Sequence, residues 1–165
     1  MSNRVASFGL CGTINSDIDN HYQLEGDNMT KDFGPNPYVI NIEEETLKNE
    51  NYRTTLWTGS HLQLTVMNIL PGEDIGLEMH SDVDQFLRIE EGEAFVQMGD
   101  SEDNLDFEAV AEDNFAVFIP AGKWHNLTNK SDEPLKVYSI YAPVEHPHGT
   151  VHKTHKEAME ADHDH

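Results

Sequence analysis

Gly72-Glu-Asp-Ile-Gly-Leu-Glu78-Met-His80-Ser-Asp-Val-Asp84-Gln85-Phe-Leu-Arg-Ile-Glu-Glu-Gly92 is one of two stretches that decide how this chain is read. The other, after an acidic insertion, is Asn114-Phe-Ala-Val-Phe-Ile-Pro120-Ala-Gly122-Lys-Trp-His125-Asn-Leu-Thr-Asn129. Glu78 and His80 are two apart, so on a strand both side chains leave the same face. Gln85 follows a four-residue turn and can return to the same end of a barrel. His125 comes from a second hairpin, with Pro120 and Gly122 in its turn. One carboxylate, two imidazoles and an amide oxygen are a reasonable donor set for one divalent transition metal. Two His and a carboxylate with open positions suit Fe(II), and also Mn, Zn or Ni. The single cysteine, Cys11, is remote in sequence, which excludes a thiolate site. Asp84 is a rival ligand, or a candidate acid–base group.

Working outward, the surrounding chain reads as β-structure. Thr54–Trp57 and Leu62–Met67 alternate apolar and polar residues as half-buried strands do, with Thr58-Gly-Ser60 as the turn between them. Ile75–His80 reads as a further strand. Gln85–Ile89 and Ala94–Met98 read as a hairpin about Gly92. Leu105–Val110, Phe115–Ile119, Trp124–Thr128 and Lys136–Tyr141 complete a set of short strands at the spacing of a sandwich or closed barrel. Before them, residues 1–37 read as an extended or partly disordered arm ending in Phe33-Gly-Pro-Asn-Pro37. Tyr38–Ile42 reads as a short strand and Glu43–Glu50 as one or two helical turns. Six of the ten histidines lie after Pro143, so residues 145–165 read as a His-rich polar tail, solvated or metal-binding, with a weak helix over Lys153–Ala161.

Together the two stretches resemble the paired motifs of the cupin superfamily, G-x5-H-x-H-x(3,4)-E-x6-G and G-x5-P-x-G-x2-H-x3-N. Pro120, Gly122, His125 and Asn129 match the second, with Asn114 at its leading Gly. Gly92 and His80 match the first, while Glu78 stands at the first His and Gln85 at the Glu. The resemblance implies an all-β, cupin-type jelly-roll barrel over residues 38–144. It implies metal ligands at Glu78, His80, Gln85 and His125. Moving the carboxylate to position 78 and placing an amide at 85 preserves the ligand charge while removing one imidazole. Some cupin-like domains have lost the metal; His80 and His125 would then be hydrogen-bonded pocket residues. On the neighbouring strands, Arg88, Trp124 and Tyr138 are candidate substrate contacts, beside Gln63, Met67, Phe86, Phe95 and Tyr141.

The bulk numbers bound the partners. With 165 residues the chain has the length of one domain with a real core. Hydrophobic residues make up 37%, and the mean hydropathy is -0.61, so part of the chain is expected outside the core. A formal charge of -21 argues against nucleic acid and anionic membrane surfaces, but not against a small anionic substrate. One cysteine, no apolar run of membrane-spanning length and no signal-peptide core make cytoplasmic the expectation.

By resemblance the expected function is a metal-binding cupin acting on a small sugar or organic acid. The mixed ligand set is similar in type to the zinc site of phosphomannose isomerases, which implies Lewis-acid chemistry. An Fe(II)-type oxygenase and a non-catalytic binding module are the alternatives. Family resemblance also implies a homodimer, with the arm before Tyr38 as a strand to exchange.

Overall fold

The computed structural model describes residues 31–163. In order they form α1 (Ile42–Lys48), β1 (Arg53–Thr58), β2 (Gln63–Ile69), β3 (Asp84–Glu91), β4 (Glu93–Gly99) and β5 (Phe107–Glu112). There follow β6 (Ala116–Ile119), β7 (Trp124–Thr128), β8 (Leu135–Ala142), β9 (Val151–His152) and α2 (His155–His163). Two antiparallel sheets form, ordered β6-β3-β8-β2-β1-β9 and β5-β4-β7, a jelly-roll arrangement as expected from the alternation.

Register sorts the larger sheet into rows. Residues opposite one another share a face. On the inner face Gln63, Tyr141, Gln85 and Ile119 align, then Thr55, Thr65, Ser139, Leu87 and Val117, then Arg53, Met67, Val137 and Ile89. The interior is therefore polar toward the first row and apolar toward the last, where Met67, Ile69, Leu87, Ile89, Leu127, Leu135 and Val137 form the core. On the outer face Trp57, Leu64, Ile140, Phe86 and Phe118 align. Beside that row, Leu56, Val66 and Tyr138 pack with Ile40 and Ile42.

α1 begins at Asn41, whose side chain accepts from Glu44 N at 3.2 Å, and carries Glu43, Glu44 and Glu45 in its first turn, where the helix dipole favours them. The strand expected at Tyr38–Ile42 is absent, because this cap starts the helix instead. Ile75–His80 is not a continuous strand either. Gly76, at φ 87°, breaks it, leaving bridges Asp74–Thr128 and Glu78–His125 along the edge of β7. Nor is Gly92 a hairpin turn. β3 and β4 belong to different sheets, and Gly92 (φ 96°) turns the corner between them, where a Cβ would meet Pro134 O at 2.8 Å. The same holds for Pro120–Gly122, which carries the chain from β6 in one sheet to β7 in the other.

The segment expected as a solvated tail folds back onto the barrel over residues 145–163. β9 pairs with β1 through Arg53–His152 and Thr54–Val151, and Ala158 of α2 is wholly buried. Asp32 fastens its start. The carboxylate accepts from the backbone N–H of Gly34 (2.9 Å), Thr58 (3.0 Å) and Gly149 (3.0 Å) and from the Thr58 hydroxyl (2.6 Å). The rest of the arm, and with it strand exchange through residues 1–30, lies outside the described residues.

Candidate metal centre

Glu78 and His125 are brought face to face by a pair of backbone bonds, Glu78 N to His125 O at 3.1 Å and the reverse at 2.9 Å. Gly122 N donates to His80 O at 2.7 Å, which sets His80 beside them. The result is a cluster of one carboxylate and two imidazoles whose ligand atoms all lie within 4.8 Å of one another. Nε2 of His80 and Nε2 of His125 each stand 3.4 Å from Glu78 Oε1.

The other ring nitrogens explain why the Nε2 atoms converge. His80 Nδ1 is 3.0 Å from Glu145 Oε1, and His125 Nδ1 is 2.9 Å from Lys123 O. Each Nδ1–H donates outward, so each Nε2 is turned toward Glu78 and the cluster, and both Nε2 atoms are buried with no closer partner. Carboxylate- or carbonyl-oriented imidazoles are the usual support of a metal site. This donor set and these two orphaned nitrogens fit a divalent cation.

Electrostatics agree. Burial opposes the Glu78 charge, but hydrogen bonds and charge from His125 and His80 outweigh it and hold the carboxyl at about 2. Burial likewise opposes charge on His80, and Glu145 and Glu78 more than offset it, raising the imidazole to about 10. A positive charge is thus favoured where these side chains meet. Tyr141, 6.2 Å from the His80 ring centroid, is pushed up to about 12 by burial and stays a neutral phenol.

Gln85 lies on the same inner face, opposite Tyr141, and is only 3% exposed. Its Nε2 donates to Ser139 Oγ at 3.2 Å, leaving Oε1 buried and without a partner. The remaining expected site residues point elsewhere. Asp84 accepts from Ala121 N at 2.8 Å and faces solvent at the edge of β3. Arg88 is on the outer face, 3.3 Å from Glu90 and bonded to Asn114 Oδ1 at 2.9 Å. Tyr138 is opposite Arg88 in the outer cluster, and Trp124 alternates with His125 on β7 and so leaves the opposite face. Period-two geometry separates all four from the cluster.

Gln63, expected only as a substrate contact, and Glu145 and His146, which the sequence reading left in a polar tail, complete the site. Gln63, wholly buried, accepts from Glu145 N (3.2 Å) and His146 N (2.8 Å) and donates to His146 O (2.8 Å). This one amide clamps the returning segment across the barrel and delivers Glu145 to His80. His146 packs edge-on against Tyr141 at 5.2 Å, and burial, with Arg53 adding, lowers it to about 3. The other described tail histidines do not gather into a metal cluster of their own. His148 meets Gly34 O (2.9 Å), His152 meets Arg53 (3.2 Å) and His155 meets Asp74 (2.9 Å). Only the concentration of histidines after Pro143 hinted that this segment matters.

Among the described residues no helix is long and apolar enough to cross a membrane. The family model of the cupin domain matches residues 65–141. The uncharacterised protein YrkC of Bacillus subtilis (strain 168) is 53% identical over 134 residues, 81% of this chain and 72% of YrkC. Protein L612 of Acanthamoeba polyphaga mimivirus is 44% identical over 69% of this chain and 70% of its own. The crystal structure of BH2720 from Bacillus halodurans superposes with a TM-score of 0.78 at 58% identity, covering 79% of this chain and 98% of that one. With the motifs, the jelly roll and the two close relatives in agreement, the chain belongs to the cupin superfamily.

Proposed function

We propose that the protein binds one divalent transition metal through Glu78, His80 and His125, with Gln85 Oε1 as the fourth protein donor, and acts there on a small polar metabolite. The observation that carries this is the convergence of two Nδ1-anchored imidazoles and one carboxylate on a common point. A bound Zn, Mn, Ni or Fe(II) ion supplies Lewis-acid polarisation of a substrate oxygen, and Fe(II) would add redox chemistry with O2. The chain's own groups do the rest. Glu145 and the Lys123 carbonyl hold the two imidazoles in orientation, and the Gln63 clamp keeps Glu145 in place. The apolar rows beneath exclude water from one side.

The protein acts as a cytoplasmic homodimer in this reading. The outer row Trp57, Leu64, Ile140, Phe86 and Phe118 supports it, since Phe118 is 71% exposed and the row carries no charge in a chain of -21.

The test is elemental analysis of the full chain, because residues 145–163 belong to the site and cannot be trimmed. Near-stoichiometric metal that vanishes in His80→Ala/His125→Ala is expected, and its identity separates Lewis-acid from oxygen chemistry. No metal in the parent after reconstitution would sink the proposal.

A further inference from the structure

The candidate metal centre is nearly closed. His125 is 1% exposed, and the side chains of His80 and Glu78 are 10% and 24% exposed. Of four cavities of about 250 to 440 Å³ among the described residues, none is lined by Glu78, His80 or His125. The one that Gln85 borders lies with Phe86, Phe118 and Ile140 on the outer face. A molecule of several heavy atoms reaches the cluster only if some segment moves.

The stretch between β8 and β9 is the segment fitted to move. The chain leaves β8 at Ala142 and is tied down again at Gly149 and Thr150. There Gly149 N donates to Asp32 Oδ2 at 3.0 Å, and Thr150 O accepts from Thr55 N at 3.0 Å. Between those anchors no residue belongs to the apolar core. Pro143, Pro147 and His148 are exposed, and Val144, Glu145 and His146 are half-buried. What holds the stretch is polar. Gln63 takes two backbone N–H groups and gives one bond to His146 O, Glu145 Oε1 meets His80 Nδ1, and His148 Nε2 meets Gly34 O. Water can replace such bonds, and a segment with few apolar contacts opens at a lower free energy than the core.

The closed position also leaves one group unsatisfied. His146 is carried inward against Tyr141, yet its Nε2 is buried there without a partner. Swinging outward returns that nitrogen to water and so offsets part of the loss of the Gln63 bonds. Gly149, in the left-handed region at φ 77°, supplies a hinge at the far anchor.

We propose that residues 144–148 are a gate over the candidate metal centre, latched by the Gln63 amide, which swings out to admit a small polar molecule or ion and on closing returns Glu145 to His80. The gate stands on the geometry of this segment; what it admits rests on the metal reading above.

The test is native-state hydrogen exchange on the full chain, read at the amides of Glu145 and His146 against that of Val137, which is wholly buried in β8. Both gate amides should be protected, yet exchange roughly 100-fold faster than Val137 and at a rate insensitive to low denaturant, the mark of local opening. Gln63→Met keeps the bulk of the side chain and removes its bonds, so exchange at both amides should rise about tenfold or more relative to Val137. Gln63→Glu loses only the bond to His146 O and should give a smaller rise, which serves if the methionine variant does not fold. Zinc uptake and zinc removal by a chelator, followed by stopped flow, should both quicken in the same order. Gate amides that exchange as slowly as Val137, or as fast as an unstructured peptide, overturn the proposal. So does zinc loss that quickens while uptake stays the same, which would leave Gln63 only a support for Glu145. If the parent takes up no divalent metal, the metal reading fails by itself, and the exchange results alone uphold or overturn the gate.

Discussion

Asn129 is a motif residue to which the structure gives a purely structural role, and Asn129→Ala tests it. It is wholly buried and spends its whole side chain on the loop that follows β7. Nδ2 donates to Ile69 O (2.9 Å) and Glu133 O (2.8 Å), while Oδ1 accepts from Ser131 N (3.0 Å) and Ser131 Oγ (2.8 Å). Truncation to alanine removes all four bonds; the Ser131 hydroxyl and Glu133 O keep each other at 3.1 Å, while the Ile69 carbonyl and the Ser131 amide lose their Asn129 partner. The Ile69 bond is fully buried and the others are partly wet, so roughly 3–4 kcal/mol is lost, at about 1 kcal/mol per bond. For a chain of this size that lowers the melting midpoint by roughly 10 °C. Asn129→Asp should fall further, since a carboxylate cannot donate to the Ile69 and Glu133 carbonyls and would face both. Neither variant touches Glu78, His80 or His125, so metal content per folded chain should hold. The assay is a calorimetric melt run beside elemental analysis. A midpoint within about 2 °C of the parent, or metal lost from a chain of unchanged stability, would refute the assignment of Asn129 to structure.

Three further outcomes follow from the same structure. Glu145→Gln should weaken metal binding about 10–100-fold in a competition with a chelating indicator while leaving the melt near the parent value, because Glu145 orients His80 through Nδ1; unchanged affinity would detach the returning segment from the site. Asp32 is held below its usual range: burial raises it, but hydrogen bonds from Thr58, Gly149 and Gly34 lower it further. A depressed carboxyl stabilises above its unfolded value and loses that contribution as pH falls through the folded one, so the stability gap between parent and Asp32→Asn should be full at pH 6 and close below about pH 4. An acid limb of the denaturation curve unchanged by the substitution would contradict this. Phe118→Glu should convert a dimer into an 18.7 kDa monomer in sedimentation. A parent already sedimenting as a monomer, or a variant of unaltered mass, would remove the outer face as the contact.

Alternation made the strands legible. Leu62–Met67, Gln85–Ile89 and Lys136–Tyr141 each have one face in the core, and a period of two survives whatever lies at the ends of the strand. Sheet membership is a different matter. Gly92 is followed by Glu93 and looks like a hairpin turn, but whether β3 and β4 pair depends on partners far away in sequence, β8 and β6 for one and β5 and β7 for the other. Asn114 shows the same limit in milder form. It stands at a usual glycine, and its φ of 70° shows that the position demands the left-handed region, where Asn is among the more tolerant side chains.

The candidate site was legible where its residues share one local geometry and hidden where it is assembled across the fold. Glu78 and His80 are two apart, and their common face follows from spacing alone. Arg88, Tyr138 and Trp124 sit on the right strands, yet each is one residue out of phase with the interior, and a one-residue phase moves a side chain to the opposite face. Glu145 is 65 positions from His80, and Gln63 is 82 from Glu145, so no spacing rule connects them. What binds them is a polar requirement. Gln63 lies in an inner row, where its amide must find partners, and the returning backbone at Glu145 and His146 provides them. The same logic applies to the ligand set. With one imidazole fewer than the family motif, the remaining two must be held firmly to act as donors, and a carboxylate on His80 Nδ1 does that for one of them while adding negative charge just outside the cluster. The histidine-rich end of the chain is therefore better understood as part of the barrel's polar interior, with Glu145 beside His80 and His146 against Tyr141, than as a metal-binding tail.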